Sequence, residues 1–240
     1  MVARERGQLR LSNRFLGRIL RERHPDDGMR LVYADNLARL GEYSAARAQF
    51  EKVAKRGPSD GSPALAGDIA RASAWPHALE ADALAASGDT ALLRSIADSL
   101  QVVGPRSYYG RDWRLFHHVR GLLAERAGRY VDAERELTAA RWGYSGWTRT
   151  VAELAQVQLA EGRPAVAIAT LRQAYAGAPD AMGRYLPRSE LDLRMATAFR
   201  AAGAADSARV YGEYVRRAWA RADVEVRRGL MVLGEYSTAR

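Results

Sequence analysis

The sequence predicts an all-α protein, a right-handed α-solenoid of stacked helix-turn-helix repeats, and three observations lead there. An octapeptide occurs twice in nearly the same form, LGEYSAAR at 40–47 and LGEYSTAR at 233–240. Glycines at 41, 88, 128, 162, 203 and 234 each open a segment whose residues at +2, +5, +9 and +12 trace one helical face. Strand signals are nearly missing, because no Asn-Gly hairpin dipeptide occurs and β-branched residues never alternate over a useful length.

The elements follow in chain order. Residues 1–28 read as one amphipathic helix, with Leu9, Leu11, Phe15, Leu16, Ile19 and Leu20 interleaved with Arg10, Arg14, Arg18, Arg21 and Arg23. Such a helix can lie on an anionic membrane or cover the exposed apolar end of a repeat array, and the second use is expected here. Residues 29–240 read as the repeat domain, about five units and a partial sixth. The first unit joins 31–40 to a stripe of Tyr43, Ala46, Phe50 and Val53, and the second carries a weaker one, Thr90, Leu93, Ala97 and Leu100.

The third unit joins 113–127 to Tyr130, Ala133, Leu137 and Ala140, and the fourth joins 151–161 to Ala167, Leu171 and Ala174 behind a first-turn Pro164. In the fifth, 191–202 leads to Ala205, Ala208, Gly212 and Val215, and the sixth reaches Tyr236 and Ala239. Thr150 with Glu153, and Ser189 with Asp192 behind Pro187, predict helix starts at Thr150 and Ser189. Stretches 57–67, 104–112 and 177–188 are rich in glycine, proline and serine and are expected as loops on one edge. Both octapeptides are thus one turn of one repeat.

Composition narrows the function. The 240 residues lack cysteine, which excludes disulfides, thiolate nucleophiles and cysteine-ligated metal. No apolar run long enough to span a bilayer or to serve as a secretory signal is present, so a cytoplasmic protein without membrane association is expected. The net charge of +9 comes from 37 basic residues; two are lysines, Lys52 and Lys55, so 37 − 2 = 35 are arginines. They are scattered, and they read as a solvated basic surface with a polyanion-binding patch as the alternative.

The pattern Gly-x-Tyr-x-x-Ala-x-x-x-Phe/Leu, at Gly41, Tyr43, Ala46 and Phe50 and again at Gly128, Tyr130, Ala133 and Leu137, resembles the tetratricopeptide repeat, as does the 34-residue step from Gly128 to Gly162. The other steps are 47, 40, 41 and 31 residues, and the unit at Gly88 lacks both aromatic and alanine. More loosely, SYYGRDWRLFHHVRGLL from Ser107 and GYSGWTRTVAELA from Gly143 resemble the C-terminal helical-repeat region of large bacterial transcriptional regulators or serine/threonine kinases.

The repeat resemblance implies a concave surface lined by the first helix of each unit. Transferred by alignment, its partner-binding positions are Arg39, His118, Leu122, Arg126, Arg149, Gln156 and Arg200, with Leu31, Asp35, Glu125, Leu159, Leu193 and Thr197 beside them. Arginines can pair bidentately with carboxylates, so the expected partner is a protein or an acidic peptide segment. The family's lysine- and asparagine-based carboxylate clamp is not reproduced. The incomplete sixth unit predicts an open C-terminal end able to self-associate.

Other constellations read as structural. Adjacent His117 and His118 point about 100° apart on a helix, without a third ligand one turn away, so no metal is expected. His24, Pro25, Asp26, Asp27 and Gly28 form a turn and N-cap. Tyr108, Tyr109, Trp113, Tyr144 and Trp147 are expected to pack between repeats. No nucleotide, hydrolase or dinucleotide fingerprint occurs, so neither enzymatic activity nor a cofactor is expected. The reading is a non-enzymatic interaction scaffold, with nucleic-acid association through the arginines as the alternative.

Overall fold

The computed structural model describes residues 2–22, 26–55, 66–141, 147–176 and 186–233, and within them the chain is all-α. The turn at Gly234, the sixth unit and most of the stretches expected as loops at 57–67 and 177–188 lie outside these residues. The one-turn α1 (Val2–Glu5) and the 14-residue α2 (Leu9–Glu22) come first, followed by five hairpins. These are α3 (Asp27–Arg39) with α4 (Tyr43–Ala54), α5 (Ala66–Leu84) with α6 (Thr90–Val103), α7 (Arg114–Arg126) with α8 (Tyr130–Ala140), α9 (Thr148–Ala160) with α10 (Pro164–Tyr175), and α11 (Arg188–Ala201) with α12 (Ala205–Ala218). The one-turn α13 (Val224–Arg227) follows.

Each helix packs on its hairpin partner and on the next helix in sequence, and the odd-numbered helices from α3 to α11 also touch one another, forming an inner layer behind which the even-numbered helices stand. The expected stripes are what joins the layers: Ala46, Phe50, Ala133, Leu137, Ala167 and Leu171 are each sealed from solvent. Close packing is enforced at Gly121 of α7, where a Cβ would stand 2.5 Å from Leu137 Cγ of α8. Stretch 104–112, expected as a loop, instead forms two 3-10 turns over Gly104–Arg106 and Tyr108–Trp113. Gly104 fits there because a Cβ would meet the Trp113 backbone at 2.6 Å.

Four of the five hairpin turns share one hydrogen-bond pattern, the exception being Gly88, where Asp89 N donates to Ser87 Oγ at 3.4 Å. The glycine, in left-handed backbone, donates to the carbonyl three residues back, and the next residue donates five back, as in Gly41 to Ala38 and Glu42 to Leu37, both 2.9 Å. Gly128, Gly162 and Gly203 repeat it, and so does Gly7, which donates to Arg4 at 2.9 Å while Gln8 donates to Ala3 at 2.8 Å. Residues 2–22 are therefore built as another repeat hairpin with a four-residue first helix, where the sequence predicts one continuous helix over 1–28. Ser12, at +5 from Gly7, is buried as Ala46, Leu93, Ala133 and Ala167 are at that position, and Leu9, at +2, is fully buried where Tyr43 and Tyr130 are not.

That first hairpin also meets the last one. Leu9 shares a cluster with Val215, Trp219, Ala222 and Val226, and the Asp223 amide donates to the Gly7 carbonyl at 3.0 Å. Arg10 of α2 adds a backbone bond to Asp223 Oδ2 at 2.9 Å and an ion pair to Glu225 at 2.6 Å. The first and last hairpins of the array are thus in contact, and α1 sits against the inner face with Arg4 buried there.

Candidate partner-binding surface

The inner helices aim polar side chains at a common centre. Arg149 of α9 pairs with Asp35 of α3 at 2.9 Å and with Asp82 of α5, and Arg4 of α1 pairs with the other Asp35 oxygen. Asp82 accepts from His118 Nε2 of α7 at 3.2 Å, and the Thr150 hydroxyl meets His118 Nδ1 at 3.1 Å. A carboxylate can only accept, so this contact fixes the proton on Nε2 and the orientation of the ring. Burial alone would push the pKa of Asp35 and of Asp82 up, yet the Arg149 guanidinium holds both below the ordinary carboxylate range, helped by Arg4 at Asp35 and by His118 at Asp82.

The hub explains why two expected helix starts fall elsewhere. α9 begins at Thr148, two residues before Thr150, whose hydroxyl is turned inward to His118. α11 begins at Arg188, and its first amides are capped from outside: Glu5 of α1 accepts from Arg188 N at 3.0 Å and Ser189 N at 2.6 Å, and its carbonyl accepts from Ser189 Oγ at 2.8 Å. Arg39 reaches across from α3 to pair with Glu190 beside this cap.

Beside these residues the inner face holds a cavity of about 440 Å³ whose lining includes Arg39, Gln156, Glu190, Leu193, Arg194, Thr197, Trp219 and Glu225. Arg194 is tied to Glu153 at 3.0 Å. Next to that pair, the pKa of Glu125 at the end of α7 is pushed up to about 7, mostly by burial and further by the Glu153 charge, against the opposing pull of Arg126 and Arg194.

The structure divides the seven aligned positions. His118 and Arg149 are enclosed and occupied by the hub, and Leu122 is buried in the packing of α7. Arg39 lies at the cavity wall, engaged by Glu190. Arg126, Gln156 and Arg200 are exposed, on α7, α9 and α11, one per consecutive hairpin. Sequence reasoning missed Arg4, Glu5 and Asp82. Gly7 was the available clue to the first two, since Leu9, Ser12, Leu16 and Ile19 occupy its +2, +5, +9 and +12 positions.

His117 is engaged by Glu136 at 2.7 Å, and among the described residues no group of three or more His, Asp or Glu side chains is placed to hold a metal ion. Trp147 packs edge-on to Trp75, with ring centres 5.4 Å apart, and lies 4.7 Å from the His118 ring. Tyr144 and the side chains of Tyr108 and Tyr109 lie outside the described residues, as do His24 and Pro25. No described helix is long and apolar enough to cross a membrane.

No family model and no curated protein sequence matches the chain. Among solved structures the chain is similar to the crystal structure of BtubC (BKLC) from P. vanneervenii, with 13% sequence identity over 91% of each chain and a TM-score of 0.46.

Proposed function

We propose that the protein is a non-enzymatic interaction scaffold that takes an acidic segment of a partner protein along the uncovered edge of its inner face. The observation that carries this reading is the set Arg126, Gln156 and Arg200, exposed on three consecutive inner helices, with Gln156 lining the cavity that holds Arg194 and Thr197. Guanidinium groups along such an edge suit carboxylates of an extended segment, and the cavity suits one of its side chains. Glu125 tunes the site. An incoming anion is repelled by ionised Glu125, so binding strengthens as pH falls through about 7 and that group takes up a proton.

Fluorescence anisotropy with a labelled glutamate-serine peptide tests the proposal. The double substitution Arg126→Glu and Arg200→Glu is expected to weaken binding about tenfold or more while leaving the thermal midpoint within a few degrees. Equal affinity of the two proteins, or binding that does not change between pH 8 and pH 6, would remove the site from consideration.

A further inference from the structure

We infer that α2 is a second docking surface, one that receives an acidic amphipathic helix of a partner protein. Arg10, Arg14, Arg18 and Arg21 follow one another at steps of four, four and three residues, which at 100° per residue keeps them within about 80° of one another along the helix. Arg10 is engaged by Glu225 at 2.6 Å and faces Glu42 at 3.8 Å. Arg14, Arg18 and Arg21 are exposed and have no carboxylate partner among the described residues. They border a groove of about 550 Å³ with Asn13 and Gly17 on one wall and Tyr33 and Leu37 of α3 on the other.

A further feature says that the occupant is a helix of a protein. On the flank of α2 next to Arg18, Phe15 is 57% exposed and Leu11 is half-buried. A helix with carboxylates at i, i+4 and i+7 matches the arginine spacing, and an apolar neighbour on the same helix covers Phe15. A phosphate backbone would satisfy the arginines and leave Phe15 in water. Tyr33, the aromatic residue of the groove, is packed against the core and gives bases no stacking platform.

This surface shares with the preceding reading only the acidic character of the partner, and the two can fail separately. The probe is a synthetic amphipathic helix about four turns long, with glutamates at i, i+4 and i+7 beside leucines, compared with its glutamine counterpart and with a single-stranded oligonucleotide. The glutamate helix is expected to bind about tenfold more tightly than the glutamine one, Arg14→Glu with Arg18→Glu to remove that advantage, and Phe15→Ala to weaken binding several-fold. The inference is overturned by no saturable binding of the glutamate helix, by equal binding to wild type and the double variant, or by an oligonucleotide that binds more tightly and ignores Phe15→Ala.

Discussion

The hairpins at Gly7 and Gly41 share a turn and differ in almost everything the turn supports. Both glycines take left-handed backbone, with φ of 66° and 82°, and both close the same pair of hydrogen bonds. At Gly41 the surroundings are open, and a Cβ there would meet nothing within 4 Å, whereas at Gly7 a Cβ would stand 2.7 Å from Ala222 and 2.9 Å from Val226. One turn is a connector between neighbours in sequence; the other is the contact by which the first and last parts of the chain meet. The same local geometry therefore serves two purposes, and only the second depends on residues about 200 positions away.

The largest break is expected at the charge hub that ties the two hairpins together. Arg149→Met leaves Asp35 and Asp82 buried with much of their compensation gone, and should cost about 3–5 kcal/mol in a denaturant titration. Replacing an equally buried but unpaired polar position would not reach that value. The glycines come next and sharpen the comparison directly. Gly7→Ala combines left-handed strain with a clash against Ala222 and Val226, for about 2–4 kcal/mol, while Gly41→Ala meets strain alone, about 1–2 kcal/mol. Amide exchange should localise the difference, accelerating at Asp223, whose proton is held by Gly7, and leaving the α7–α8 hairpin as in wild type.

The smallest effect concerns Glu125, which lies on the uncovered edge away from both turns. Its pKa in the folded protein is raised from 4.5 to about 7 by burial first and Glu153 second, so the folded state holds a proton that the unfolded chain has released. Stability from this group is complete below about pH 4.5 and is lost as pH rises through 7. Glu125→Gln should remove that slope and stabilise the protein at pH 8 by about 1 kcal/mol, the value being reduced by solvent around a half-buried side chain. A slope that persists in the variant would assign the pH dependence to another group.

Much of the fold was legible because its determinants are local. Tyr43, Ala46, Phe50 and Val53, or Ala133, Leu137 and Ala140, lie within one helix and announce by spacing alone which face is covered. The site was legible only in part. Alignment named His118 and Arg149 as groove positions, and their helices do face inward, but the space before them is filled by Arg4 and closed by Asp35 and Asp82. The capping signals failed for the same reason. Thr150 and Ser189 carry the right hydroxyls, and each spends its hydroxyl on a residue distant in sequence, His118 and Glu5.

By itself the sequence determined the helical class, the hairpin unit, the turn glycines and the apolar stripes, all of which follow from periodicities within a dozen residues. Tertiary structure alone decided that the first and last hairpins meet, that α1 sits against the inner face, and which arginines are enclosed and which remain at the edge. These depend on how small rotations between successive hairpins add up over five units, and on pairings such as Arg149 with Asp35, 114 residues apart, that no local pattern encodes.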